Sequence, residues 1–213
     1  MKEKLDGSRL NEITFLSEET TINVSNKDLT YLRETGLPKL VESLQWEFDL
    51  SQVKKYICID STQDCKEYIN KENVEGLEFM YKIGKRIPLG MFVSIQESTG
   101  AIYLAKKPIY KDPENFLEKL EYINLNIECF AKCLNTYDIF FVNNQDIMDD
   151  NEIRTEEERY IILLKLEKDL KNIDTTVVGS APRRLDYDGF WTSIIEDMYD
   201  IFGIDSYQEE LDC

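Results

Sequence analysis

The chain has 213 residues, 42% of them apolar, which is enough to bury a core, and no apolar run exceeds five residues where roughly 20 are needed to span a bilayer. Acids number 42 against 25 bases, a net charge of −17, which argues against direct nucleic-acid binding, since phosphate contacts need the opposite sign. Histidine is absent, which removes histidine triads, Cys–His pairs, His-ligated zinc and imidazole acid–base chemistry.

In chain order, the first stretch, MKEKLDGSRLNEITF, lacks the apolar core of a signal peptide, so a cytoplasmic location is expected. Ser25-Asn26-Lys27-Asp28 reads as a capped helix start, with Gly36 and Pro38 ending the helix. SLQWEFD (43–49) and KKYICID (54–60) alternate like strands, TQDCKEYINKE reads as a short exposed helix, and GLEFMYKIG (76–84) is a strand ending at Gly84.

The segment MFVSIQESTGAIYLA (91–105) is a hairpin. Met91, Val93 and Ile95 share one strand face, Ile102 and Leu104 face the core from the next, and Gly100 supplies the positive φ of the loop. Strands over 77–83, 91–96 and 101–105 form an antiparallel meander.

The period then changes from 2 to 3.6. NIECFAKCLNTYDIFF (126–141) is a helix capped by Asn124 or Asn126, its apolar set Ile127, Phe130, Ala131, Leu134 and Phe141. Thr155-Glu156-Glu157-Glu158 is a capping box opening a helix to Ile173, with a stripe of Ile162 or Leu163, Leu166, Leu170 and Ile173. Asp188 is placed to cap a last helix whose stripe is Phe190 or Trp191, Ile194, Ile195, Met198 and Ile201, closed by Gly203. Strands first and helices after give an α+β fold in one domain over 1–213, its core about 28–200, with an acidic tail at 203–213.

No motif for catalysis stands out. Asp146, Asp149, Asp150 and Glu152 cluster, but they miss the alternation and the glycine of a calcium loop, so a solvated acidic loop is expected and no metal or other cofactor. GSAPRR (179–184) lacks the Lys-Ser/Thr of a phosphate loop and reads as a turn whose arginines pair with nearby acids. Cys129 and Cys133, four apart, read as small buried apolar residues, and Trp46 and Trp191 as core or rim.

The negative charge is concentrated. Residues 143–158 carry seven acids and one base, and Leu185 to Cys213 carry nine acids and no base. Such a surface steers a basic partner towards it. The expected contacts are Asp146, Asp149, Asp150, Glu152, Glu156 and Glu157, or else the acidic C-terminal stretch.

The order of several short motifs is familiar. LRETGLPK (32–39), FMYKIG (79–84), STGAIYL (98–104), the post-sheet helix in YINLNIECFAKCL (122–134) and a late GFW (189–191) follow one another as in the SUKH superfamily of bacterial immunity proteins, most nearly its fourth subfamily. The chain resembles that family over roughly residues 28 to 200. The resemblance implies an α+β domain with a mainly antiparallel or mixed sheet flanked by helices, no catalytic activity, and neutralisation of a cognate polymorphic toxin by direct binding. It implies that Gly36, Leu37, Pro38, Gly84, Gly100, Tyr103, Phe190 and Trp191 serve the fold. The partner expected is a basic toxin domain, with neither direct nucleic-acid nor membrane contact. The alternatives are a regulatory or scaffold module with a non-toxin partner, and a carboxylate-dependent metalloenzyme.

Overall fold

A computed structural model describes residues 12–58, 78–87, 91–105, 120–145, 154–177, 189–202 and 204. The fold is α+β, with antiparallel strands in the first half and most of the helix in the second. Two compact units are present, Met1–Phe130 and Ala131–Cys213.

The first unit is built on a seven-stranded sheet. Strands β3 (Leu40–Val41), β4 (Trp46–Phe48), β6 (Glu78–Arg86), β7 (Met91–Gln96), β8 (Ile102–Ala105) and β9 (Leu120–Asn124) lie in that order, and every pairing is antiparallel. Strand β5 (Lys54–Cys58) shares β6 with β4: β4 takes the Gly84–Arg86 end and β5 the Glu78–Lys82 end. A separate two-stranded ladder joins β1 (Ile13–Thr14) to β2 (Leu37–Pro38).

The expected meander is present. Val93 pairs with Leu104 and Ile95 with Ile102, and all four are buried on one face. Trp46 and Phe48 share that face and pack with Phe130, at centroid separations of 6.1 Å between Trp46 and Phe48, 5.7 Å between Trp46 and Phe130, and 5.8 Å between Phe48 and Phe130. Each such aromatic pair adds about 0.5–1.5 kcal/mol beyond the area it buries.

Strand β6 differs from the sequence reading. It runs past Gly84 to Arg86, because Gly84 is a packing position and not a stop. A Cβ there would lie 2.5 Å from the Phe48 ring, so only glycine lets the aromatic lie across the strand. Strand β4 is also shorter than expected. Glu42–Leu44 form a 3-10 turn and Gln45 takes a left-handed φ of 55°, which turns the chain before Trp46.

Helix α1 (Asn26–Glu34) starts where expected, with Ser25 Oγ accepting from Asp28 N at 3.1 Å, and Gly36 follows it at φ 73°. Asp28 does more than open the helix. It is 4% exposed, its Oδ2 accepts from Ser25 Oγ at 2.6 Å, and its Oδ1 accepts from Ile127 N at 3.4 Å. Gly100 closes the β7–β8 turn at φ 77°, and a Cβ on it would stand 2.6 Å from Asp28 Oδ2. One buried carboxylate therefore holds α1, the hairpin turn and the start of the next helix together. Beside it Lys27 pairs with Glu128 at 2.8 Å. Burial, aided by the Glu128 charge, pushes the Tyr31 phenol up to about 12.

The far end of the hairpin turn is tied as well. Glu97 accepts from Lys55 Nζ at 3.2 Å and from Tyr81 OH at 3.4 Å, and Tyr81 OH accepts from Asn23 N at 2.9 Å. Glu97 of the turn is thus tied to β5 and β6.

Helix α2 (Ile127–Asn143) runs through the boundary between the units. Its cap is Asn126, whose Oδ1 accepts from Cys129 N at 2.9 Å. Asn124, the other candidate, lies in β9 opposite Ile102. Strand β9 itself is unexpected, the stretch before α2 having no reading as part of the sheet.

In the second unit, α3 (Glu156–Ile173) and α4 (Phe190–Ile201) follow. Leu163, Leu166 and Leu170 are the buried stripe of α3, as its spacing requires. On α4 the buried set is Phe190, Trp191, Thr192, Ile195, Met198 and Tyr199. Ile201, assigned to the stripe from sequence, is 60% exposed, because Met198 and Tyr199 complete the inner face one turn earlier. Gly189 occupies the cap position expected for Asp188, with no side-chain bond. Tyr137 of α2 packs at a tilt against Trp191, at a centroid separation of 5.8 Å, and Tyr160 of α3 against Tyr199 at 6.1 Å. Cys133 is buried and Cys129 half-buried, both as free thiols.

The helix expected over TQDCKEYINKE and the turn at 179–184 lie outside the described residues. Among the described residues no helix is long and apolar enough to cross a membrane.

Candidate partner-binding surface

The acidic start of α3 is held by its own sequence. Thr155 Oγ1 accepts from Glu158 N at 3.2 Å, and Glu158 Oε2 accepts from Thr155 N at 2.8 Å, a complete capping box. Two orphan backbone donors are satisfied, and three carboxylates sit at the positive end of the helix dipole. The box also divides the labour among them. Glu158 is committed to the cap, Glu157 is exposed and Glu156 is half-buried.

Asp146, Asp149, Asp150 and Glu152 lie outside the described residues. The residues on either side of them are pinned. Arg154 Nη1 donates to Asn144 Oδ1 at 2.9 Å, and Asn144 Nδ2 donates to Phe140 O at 2.7 Å. The single base of the acidic stretch therefore joins the end of α2 to the foot of α3. Of the six residues expected to form the contact surface, the structure places Glu156 and Glu157 on one helical turn.

Sequence reasoning missed the apolar part of this surface. Ile161 is 57% exposed and Leu164 39%, and both lie on the outer side of α3 in line with Glu157. The signal was the run Ile161-Ile162-Leu163-Leu164. Four consecutive helical residues sweep about 300° of the circumference, and one buried stripe cannot take them all. Leu163 went to the core, leaving Ile161 and Leu164 towards solvent. Beyond them Lys165 and Lys168 are exposed, while Glu167 is buried and held by Lys171 at 2.7 Å.

The outer side of α3 thus runs from carboxylates through two large apolar side chains to ammonium groups. It offers a desolvatable patch beside an acidic rim, the composition of a protein interface. Among the described residues no group of three or more carboxylates and thiols could hold a metal ion.

No family model matches the chain, and neither a curated protein nor a solved structure matches it.

Proposed function

We propose that this protein is an immunity protein, which neutralises a cognate basic toxin domain inside the producing cell by stoichiometric binding. The observation that supports this reading is the outer side of α3, where Glu156 and Glu157 sit on a capped, rigid helix start beside exposed Ile161 and Leu164. A basic partner is drawn by the acidic side and held by the apolar pair, so charge sets the association rate and burial sets the lifetime. The order of short motifs shared with the SUKH superfamily supplies the toxin as the partner class.

On this reading, the segment carrying Asp146, Asp149, Asp150 and Glu152 extends the acidic rim. The partner acts on nucleic acid, since an acidic surface competes for the cationic channel that such an enzyme presents to phosphates.

The test is titration calorimetry of the protein against the C-terminal domain encoded by the neighbouring reading frame, at two salt concentrations, beside an assay of that domain's activity. One-to-one binding that weakens with salt and abolishes the activity is the expected result. Binding without inhibition would make the protein a scaffold for that partner, and no binding at all would remove the toxin from the reading.

A further inference from the structure

A different surface, on the sheet, carries the opposite charge. Register places Lys54 of β5 directly across from Lys82 of β6, and Lys85 follows beyond the bulge on the same face. Like charges directly opposite each other destabilise an antiparallel pair. In a chain with 42 acids and 25 bases, three lysines on one face of two strands need a reason.

They line a half-open notch of about 190 Å³, where β4 leaves β6 and β5 joins it. At its floor the ladder is interrupted, since Ile83 has no cross-strand partner towards β4, β5 or β7. Bulges of this kind recur beside binding sites, where they re-aim side chains.

Two acids line the notch beside the three lysines, which leaves a net charge of +1. Glu47 pairs with Lys85 at 2.9 Å, and Asp49 Oδ1 accepts from Ser51 N at 3.0 Å and Ser51 Oγ at 2.6 Å. The Lys82 ammonium lies 4.9 Å from the centroid of the Phe92 ring, a contact that leaves its positive charge uncompensated. Among the described residues neither Lys54 nor Lys82 pairs with a carboxylate. Gln52 adds an amide to the same wall.

We propose that this notch is an oxyanion site, taking one carboxylate or phosphate group between Lys54 and Lys82. A shared anion accepts a charge-assisted hydrogen bond from each lysine and offsets the like charges that register sets on opposite strands. The volume suits a small ligand or one side chain of a partner, being below the range of pockets for larger organic ligands. The site is independent of the toxin-binding role and takes the opposite charge.

Thermal melting of the full chain tests it, with inorganic phosphate in one arm and N-acetyl-aspartate amide in the other, each against chloride at matched ionic strength. A rise in Tm of about 3–5 °C is expected in at least one arm. A response to phosphate alone assigns the notch to phosphorylated small molecules, and a response to the carboxylate assigns it to an acidic side chain. Lys54→Gln should abolish the response while melting no lower than the wild type without ligand, because it also removes the like-charge pair. A wild-type Tm unmoved in both arms, or a response that survives both Lys54→Gln and Lys82→Gln, would overturn the proposal.

Discussion

The two units hold themselves together in different ways. Before Ala131 there are 22 acids and 17 bases, and from Ala131 onward 20 acids and 8 bases. In the sheet unit the polar anchors reach far along the chain. Asp28 meets Ile127, Tyr81 meets Asn23, and Thr14 Oγ1 accepts from Leu50 N at 3.1 Å. In the helical unit several polar bonds are local, as in Thr155 with Glu158, Lys171 with Glu167, and Thr176 with Asp174. Distant segments meet there through rings, Tyr137 with Trp191 and Tyr160 with Tyr199. In the helical unit Glu157 stays exposed at the start of α3. In the sheet unit the buried Asp28 ties segments far apart in the chain, whereas Glu158 and Glu167 of the helical unit are tied within one turn.

The sharpest way to break that contrast is Asp28→Ala. It strands Ile127 N in the interior and takes a partner from the exposed Ser25 Oγ, and should cost about 2 kcal/mol in urea unfolding. Asp28→Asn keeps an acceptor and should cost less. Gly100→Ala should cost about 2 kcal/mol, from positive φ and from collision with the Asp28 carboxylate. Because the collision needs that carboxylate, the double variant should fall short of the sum by about 1 kcal/mol. Strict additivity would mean that the turn and the helix are not coupled through Asp28.

The Tyr31 phenol gives the sheet unit a pH signature. Its folded value of about 12 stands above the ordinary 10, so the native state keeps a proton that the unfolded chain has lost. Stability is then fully present below pH 10 and falls as the pH rises towards 12. The loss is of order 1–2 kcal/mol after allowing for partial exposure. Tyr31→Phe should flatten the fall in alkaline denaturation curves, and an unchanged slope would place the alkaline loss elsewhere.

The helical unit should respond more mildly. Thr155→Ala removes the cap and should cost about 1 kcal/mol. Charge reversal at Glu157 should cost less than about 1 kcal/mol, through the helix dipole, in the same urea measurement.

The same contrast explains what was legible in the sequence. The capping box at Thr155, the leucine stripe of α3 and the start of α1 are written in adjacent residues, and the structure has them where their spacing places them. So is the β7–β8 hairpin, whose Gly100 turn is local. Strand β9, the β1–β2 ladder and β3 depend on partners that no local period announces. Leu120–Asn124 is a strand because β8 offers an edge to it. The continuation of β6 past Gly84 was hidden for a related reason, since the partner ring, Phe48, lies 36 residues earlier. On α3, charge pointed to Glu156 and Glu157. Ile161 and Leu164 were obscured by an apolar run that looked wholly internal.

The most direct measurement is the association rate with the basic toxin domain, followed by stopped flow across a salt series, for the wild type and for Glu156→Lys/Glu157→Lys. A rate that falls steeply with salt in the wild type, and that starts lower and falls less steeply in the variant, is the expected result. Identical rates and slopes for the two proteins would contradict a binding surface at the start of α3.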